Sequence, residues 1–118
     1  YPMAGEKGFE LADFFNKDYD AGRIARIYQF LRSLNEQKGA LHIAKMASMI
    51  AIAWENDLLC KTYNNTLKAV FNHFGITDKT ANYKPARLRK PNYKGTLPSA
   101  RVEAMHFFQC IENSLPHS

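Results

Sequence analysis

Cysteine is scarce in this chain of 118 residues. The two that occur, Cys60 and Cys110, are far apart in sequence and form no CxxC pair. Disulfide scaffolds need a denser set of cysteines, and structural zinc sites need Cys and His ligands at close, regular spacing. We therefore expect two free thiols in a reducing compartment, no metal site and no cofactor.

The four histidines do not supply a metal site either, because they do not stand at ligand spacing from one another. His106 and Cys110 lie four residues apart on one face of a predicted helix, but two ligands do not make a site. We interpret this pair as a partly buried imidazole beside a buried thiol.

The motifs of common enzymatic chemistry are also missing. The sequence has no GxxxxGK[ST] or GxGxxG loop for phosphate, no GxSxG nucleophile elbow, and no HExxH or EF-hand pattern. Its most apolar run, residues 46–54, is too short to span a bilayer, and no apolar leader opens the chain. These absences predict a cytoplasmic protein without enzymatic activity and without a membrane partner.

The composition and length of the sequence indicate one folded domain. Hydrophobic residues make up 46% and charged residues 23% of the chain, both close to the averages for globular proteins. A chain of this length is long enough to bury its own core without a metal or a disulfide. We expect residues 1–118 to form a single domain, with residues 1–7 extended or disordered.

Apolar periodicity predicts a helical fold. A short first helix is expected over residues 8–17, and a second helix is expected after a cap at Asp18 or Asp20, with Gly39 shortly after its end. Residues 41–54 are apolar on all sides, which is typical of a central buried helix. Residues 62–74 form the clearest amphipathic helix, which ends at Gly75.

A last helix is expected over residues 97–114 with Thr96 as its cap, after a long connection without helical period over residues 77–98. Three of the five prolines fall in that connection, at Pro85, Pro91 and Pro98. Five helices without an alternating strand predict an all-α, bundle-like domain with a long basic, proline-containing loop before the last helix.

Positive charge concentrates in this loop. The whole chain has 16 Lys and Arg against 11 Asp and Glu, a net charge of +5, although residues 1–20 carry five acidic residues against two basic ones. Lysines and arginines on a proline-stiffened segment can follow a phosphate backbone, and tyrosines between them can stack on bases. The segment 79–101 is therefore a candidate nucleic-acid site. Its candidate residues are Lys79, Tyr83, Lys84, Arg87, Arg89, Lys90, Tyr93, Lys94 and Arg101.

The alternative interpretation of the same segment is structural. Tyr83, Leu88 and Tyr93 could hold the loop against the helices while the cationic head groups stay in water. A second candidate face lies on the helix over residues 62–74, where Asn and Lys are residue types that read base edges. That face could equally be an ordinary solvated surface. Its residues are Lys61, Asn64, Asn65, Lys68 and Asn72.

The second half of the chain loosely resembles the core-binding domain of tyrosine recombinases. The resemblance lies in the order of TYNNTLKAVFNHF, the basic connector KPARLRKP and LPSARVEAMHFF, and it includes no invariant motif of that family. In that family a helical domain of this kind clamps DNA, and a separate domain carries the catalytic residues. The resemblance implies DNA binding without catalysis.

Three functions remain open at this point. The first is a nucleic-acid-binding protein, of DNA or RNA, that uses residues 79–101. The second is a protein interaction module, an adaptor or inhibitor, that uses the acidic N-terminal segment or surplus apolar surface; the partner can also be a second copy of the chain in a homodimer. The third is a nuclease with His73 or His106 as general base and Arg87 or Lys90 holding the phosphate.

Overall fold

The structure, a computed structural model, describes residues 9–89 and 96–114. Within those residues the chain forms five α-helices and two 3-10 turns, and an isolated backbone bridge is the one β-type pairing. The 3-10 turns span Leu11–Phe14 and Thr80–Tyr83. The helices are α1 (Ala21–Gln37), α2 (His42–Glu55), α3 (Tyr63–Phe74), α4 (Pro85–Arg89) and α5 (Thr96–Ser114). The predicted all-α class is confirmed.

Helix α2 is the centre of the fold, as its sequence predicts. It is buried from Met46 through Ala53, and it packs against α1, α3 and α5. Burial on every side explains why its sequence has no polar face. The amphipathic neighbours place their apolar stripes on it, and in α1 that stripe is Ile24, Ile27 and Leu31.

The ends of α1 and α3 follow the capping residues in the sequence. The Asp20 carboxylate accepts a hydrogen bond from the Arg23 amide at 2.9 Å and begins α1. The Thr62 hydroxyl does the same for the Asn65 amide at 3.1 Å, so the predicted start of α3 is confirmed. Helix α3 ends at Gly75, whose φ of 72° is readily adopted only by glycine.

The prediction of a helix over residues 8–17 is wrong. Helical structure there is one 3-10 turn, because the following residues pair with a distant part of the chain instead of continuing a helix. Phe15 forms an antiparallel bridge with Leu59, and the Asn16 amide donates to the Leu58 carbonyl at 2.8 Å. This pairing holds the acidic N-terminal segment against the connection between α2 and α3.

The connection before the last helix is also more ordered than the sequence predicts. Residues 80–83 form a 3-10 turn, and Pro85 opens α4 as its first residue. Proline suits that position, because its fixed φ is helical and the first turn needs no amide donor. The remainder of the predicted loop, residues 90–95, lies outside the described residues, and α5 begins at Thr96 itself.

No helix among the described residues is both long and apolar enough to cross a membrane.

Candidate nucleic-acid interface

Cationic side chains that have no partner among the described residues lie between Lys61, just before α3, and the end of α4. Residues 58–89 contain six Lys and Arg and a single acidic residue, Asp78, which is a net of +5. Of these six, Arg89 has no described side chain, and the other five make no ion pair or hydrogen bond to another described residue. We call these five the basic surface: Lys61, Lys68, Lys79, Lys84 and Arg87.

Most Lys and Arg side chains elsewhere in the described chain interact with other residues of the fold. Arg23 pairs with Glu112 at 3.2 Å and joins α1 to α5. Lys45 pairs with Glu103 at 3.0 Å and joins α2 to α5. The basic surface differs because residues 58–89 supply a single carboxylate, Asp78, against its five cations, so most of its field is not cancelled within that stretch.

The two sets of residues predicted from the sequence meet in the structure. The Thr80 hydroxyl donates to the Asn64 side-chain oxygen at 3.2 Å and ties the 3-10 turn Thr80–Tyr83 to α3. The polar face of α3 is exposed along its length, as predicted. The Lys79–Lys84 stretch therefore adjoins the residues of that face, which are Lys61, Asn64, Asn65, Lys68 and Asn72.

Tyr83 anchors this segment to the core and does not present its ring as a stacking platform. Its hydroxyl donates to the Asp78 carboxylate at 2.8 Å, and its carbonyl accepts from the Tyr63 hydroxyl at 2.5 Å. Its ring meets the ring of Phe71 edge to face, with centroids 5.8 Å apart. Leu88 on α4 is fully buried. For Tyr83 and Leu88 the structural interpretation of the segment is therefore correct.

Arg101 also has a partner within the fold. Its guanidinium makes a two-pronged ion pair with Glu55 at 3.1 and 2.6 Å, and the two side chains are 18% and 15% exposed. A guanidinium paired in this way is not available to bind a phosphate oxygen. We therefore leave Arg101 out of the interface. The predicted candidates Lys90, Tyr93 and Lys94 lie outside the described residues.

The tyrosine contacts predict a loss of stability at alkaline pH. Burial and the hydrogen bond to Asp78 raise the pKa of Tyr83 to about 12, and burial, assisted by the charge of Glu55, raises the pKa of Tyr63. Below about pH 10, the ordinary tyrosine value, both phenols are neutral in the folded and unfolded states, so their contribution to stability is fully present. Above it the unfolded chain loses protons that the folded chain keeps, and the contribution is lost as pH rises toward the folded pKa.

Urea unfolding at about pH 8 and about pH 11 checks this prediction. We expect a lower midpoint at the higher pH, and a smaller drop in the Tyr83→Phe variant, which keeps the ring and removes the titrating group. Equal midpoints at the two pH values in the unmodified protein would contradict it.

Of the residues of the nuclease hypothesis, the structure describes His73, His106 and Arg87, whereas Lys90 lies outside the described residues. His73 packs among aromatic rings: its Nε2 lies 2.9 Å from the Tyr28 hydroxyl, and its ring stacks on Phe9 at 4.2 Å. The Arg87 side chain forms no hydrogen bond or ion pair with a described residue, so no such contact joins it to His73 or to His106.

The prediction of a partly buried His106 beside a buried Cys110 is wrong. Both side chains are exposed on α5, because the buried face of that helix consists of Ala104, Phe108 and Ile111. In the described part of the chain no group of three or more His, Cys, Asp or Glu residues could hold a metal ion.

Sequence reasoning missed Trp54. Its place at the end of an apolar run predicts burial, yet its side chain is 45% exposed because it lies in the last turn of α2, at the edge of the core. Its ring lies 6.0 Å from the ring of Tyr63, the first residue of α3. The signal in the sequence was its position, one residue before Glu55 and the polar connection that follows.

Comparison with known proteins gives no relative: no family model, no curated protein and no solved structure matches this chain.

Proposed function

We propose that this domain binds nucleic acid through the basic surface. The observation that carries the proposal is the set of five cationic side chains that have no partner among the described residues and lie from Lys61, just before α3, to Arg87 on α4. The ion pairs of the described residues use Arg23, Arg32, Lys45 and Arg101 instead. A surface of this kind gains free energy by displacing the counterions condensed on a phosphate backbone.

The secondary structure suits contact with a phosphate backbone. Lys68 is exposed on α3, and Lys61 is exposed in the connection just before the Thr62 cap of that helix. Lys79 and Lys84 flank the 3-10 turn that Thr80 ties to the polar face of α3. Four lysine ammonium groups act as point charges that can follow a backbone without requiring one fixed geometry.

The neutral residues of the same face can add hydrogen bonds. Asn65 and Asn72 are exposed beside the lysines, and an amide side chain offers both a donor and an acceptor. Groups of this kind can contact phosphate, sugar or base edges, so they increase affinity without fixing a sequence. The expected binding is electrostatic and only weakly sequence-dependent.

Fluorescence anisotropy of labelled DNA and RNA oligonucleotides at about 50 mM and about 200 mM salt tests the proposal. We expect binding that weakens steeply with salt. We also expect the Lys79→Glu/Lys84→Glu variant to lose at least about tenfold in affinity at low salt, with a salt slope smaller by about 2, because two phosphate contacts are lost.

The matched control is the Lys17→Glu/Arg32→Glu variant. Both of its sites are exposed and lie outside the basic surface, and it carries the same net charge as the test variant. We expect its affinity to stay within about twofold of the unmodified protein. Equal losses in both variants would mean that net charge alone drives binding, and no binding at low salt would refute the proposal.

The alternative function, a protein interaction module, has one supporting feature. An apolar groove of about 490 Å³ lies between the N-terminal 3-10 turn and α1, with His73 of α3 on its rim. Glu10 is the acidic residue in its lining. Apolar grooves of this size are typical of binding sites.

A further inference from the structure

Trp54 is an exposed side chain that has no role in the electrostatic binding of phosphate. It is the single tryptophan of the chain, and it is one of two large apolar side chains that are exposed among the described residues, the other being Val102. An exposed indole leaves apolar surface in water that a flat partner could cover.

The position of Trp54 connects it to the basic surface. Its ring contacts Tyr63 with centroids 6.0 Å apart, and Tyr63 comes two residues after Lys61. The Tyr63 hydroxyl in turn donates to the carbonyl of Tyr83, the residue before Lys84. One tyrosine side chain therefore spans from the indole to the backbone beside a lysine of the basic surface.

The charge next to Trp54 is compatible with an anionic ligand. Glu55 follows it directly in the chain, but the guanidinium of Arg101 meets both oxygens of that carboxylate. The next acidic residue, Asp57, is exposed in the connection that follows α2, and its amide donates to the Trp54 carbonyl at 3.0 Å. Between Leu58 and Ile76, the range that contains Lys61, the sequence has no acidic residue. Asp78 comes before Lys84, and its carboxylate accepts a hydrogen bond from the Tyr83 hydroxyl.

We infer that the ligand of the basic surface is single-stranded nucleic acid, with one unpaired base stacked on the exposed indole of Trp54. This inference rests on the proposed function and names its substrate class. Every base has a flat π face that can stack on an aromatic side chain, whichever the sequence. In a duplex those faces are covered by neighbouring bases, so the indole discriminates in favour of single strands.

The test uses the full chain and two readouts. Oligonucleotides of about twelve nucleotides are compared as single-stranded DNA, single-stranded RNA and a duplex of the same length. Binding is followed by anisotropy of the labelled strand and by the emission of Trp54, which is the source of all tryptophan fluorescence in this chain. We expect single strands to quench that emission and the duplex to leave it nearly unchanged; comparison of the DNA and RNA strands shows which sugar is preferred.

Variants then separate stacking from folding. We expect Trp54→Ala to lose about tenfold in affinity for single strands, with little change for the duplex, and Trp54→Phe to keep most of the affinity because it keeps a ring. Val102→Ala removes the other exposed apolar side chain and is the matched control, expected to bind normally. Circular dichroism of each variant shows that the helices are retained.

The outcomes distinguish this inference from the proposed function. Salt-dependent binding without quenching of Trp54, and with Trp54→Ala unchanged, would overturn the stacking inference and leave the basic surface as the binding site. The same holds for equal affinity toward single strands and duplex. Failure to bind any oligonucleotide at low salt would overturn both.

Discussion

The Leu88→Ala variant is expected to unfold with a free energy about 3 kcal/mol lower than that of the unmodified protein. Leu88 is fully buried although its helix, α4, has only five residues, and it belongs to the same apolar cluster as Ala104, Phe108 and Ile111 of α5. Removing its terminal methyl groups takes away apolar burial and leaves a cavity that a short, tethered helix fills only in part.

Urea unfolding followed by circular dichroism measures this change. Ala86 lies two residues earlier on the same helix and is exposed, so Ala86→Ser is the matched control and should change stability by less than about 0.5 kcal/mol. A Leu88→Ala effect as small as that of the control would mean that residues 85–89 are a solvated loop, as the sequence alone suggests.

The second large effect concerns the Arg101–Glu55 ion pair. Replacing Glu55 by alanine leaves the guanidinium of Arg101, which is 18% exposed, without its two-pronged partner. Removal of one member of a largely buried pair costs about 3 kcal/mol, because the remaining charge stays desolvated without compensation. The loss should also depend little on salt, since buried pairs are weakly screened.

A double-mutant cycle with Glu55→Ala and Arg101→Ala isolates the pairwise energy. The chain offers a control in the Arg32–Glu36 pair, which has the same chemistry on one turn of α1 but side chains that are 63% and 62% exposed. We expect a coupling of at least about 2 kcal/mol for the buried pair and about 0.4 kcal/mol for the exposed one. Equal couplings would show that the Arg101–Glu55 geometry is not maintained in solution.

The sequence predicts α1 and α3 correctly because each has an amphipathic apolar period and a recognisable end. In α1 and α3 the caps are Asp20 and Thr62, and Gly75 supplies the left-handed residue that ends α3. These are local signals, because the capping side chain and the amide that it satisfies are three residues apart. Such signals can be identified in the sequence without knowing how the rest of the chain folds.

The elements that were missed depend on distant residues or are too short to show a period. The pairing of Phe15 is decided by Leu59, which no local pattern reveals. Helix α4 has a single fully buried anchor, Leu88, and one anchor cannot display a repeat of 3.6 residues. Pro85 was interpreted as a mark of extended chain, whereas proline also occupies the first position of helices.

For the site, composition predicts where charge lies but not which charges remain free. Arg101 and Lys84 are equivalent as positive charges in the sequence, yet one is bound to Glu55 and the other has no described partner. The difference arises because α2 and α5 pack together and bring Glu55 to Arg101. Tertiary packing also decides that Tyr83 is an anchor and that Trp54 is exposed.

The bridge between Phe15 and Leu59 has a consequence for synthesis on the ribosome, where the chain emerges from its N terminus. Phe15 is fully buried in the finished fold, but its backbone partner follows after α1 and α2 have been made. The two segments are joined over 41 residues, as in the contact between Asn16 and Asp57. Until that connection emerges, Phe15 lacks its backbone partner, although the 3-10 turn before it can already meet α1. This aromatic segment therefore stays partly undocked during synthesis, when exposed apolar surface favours aggregation.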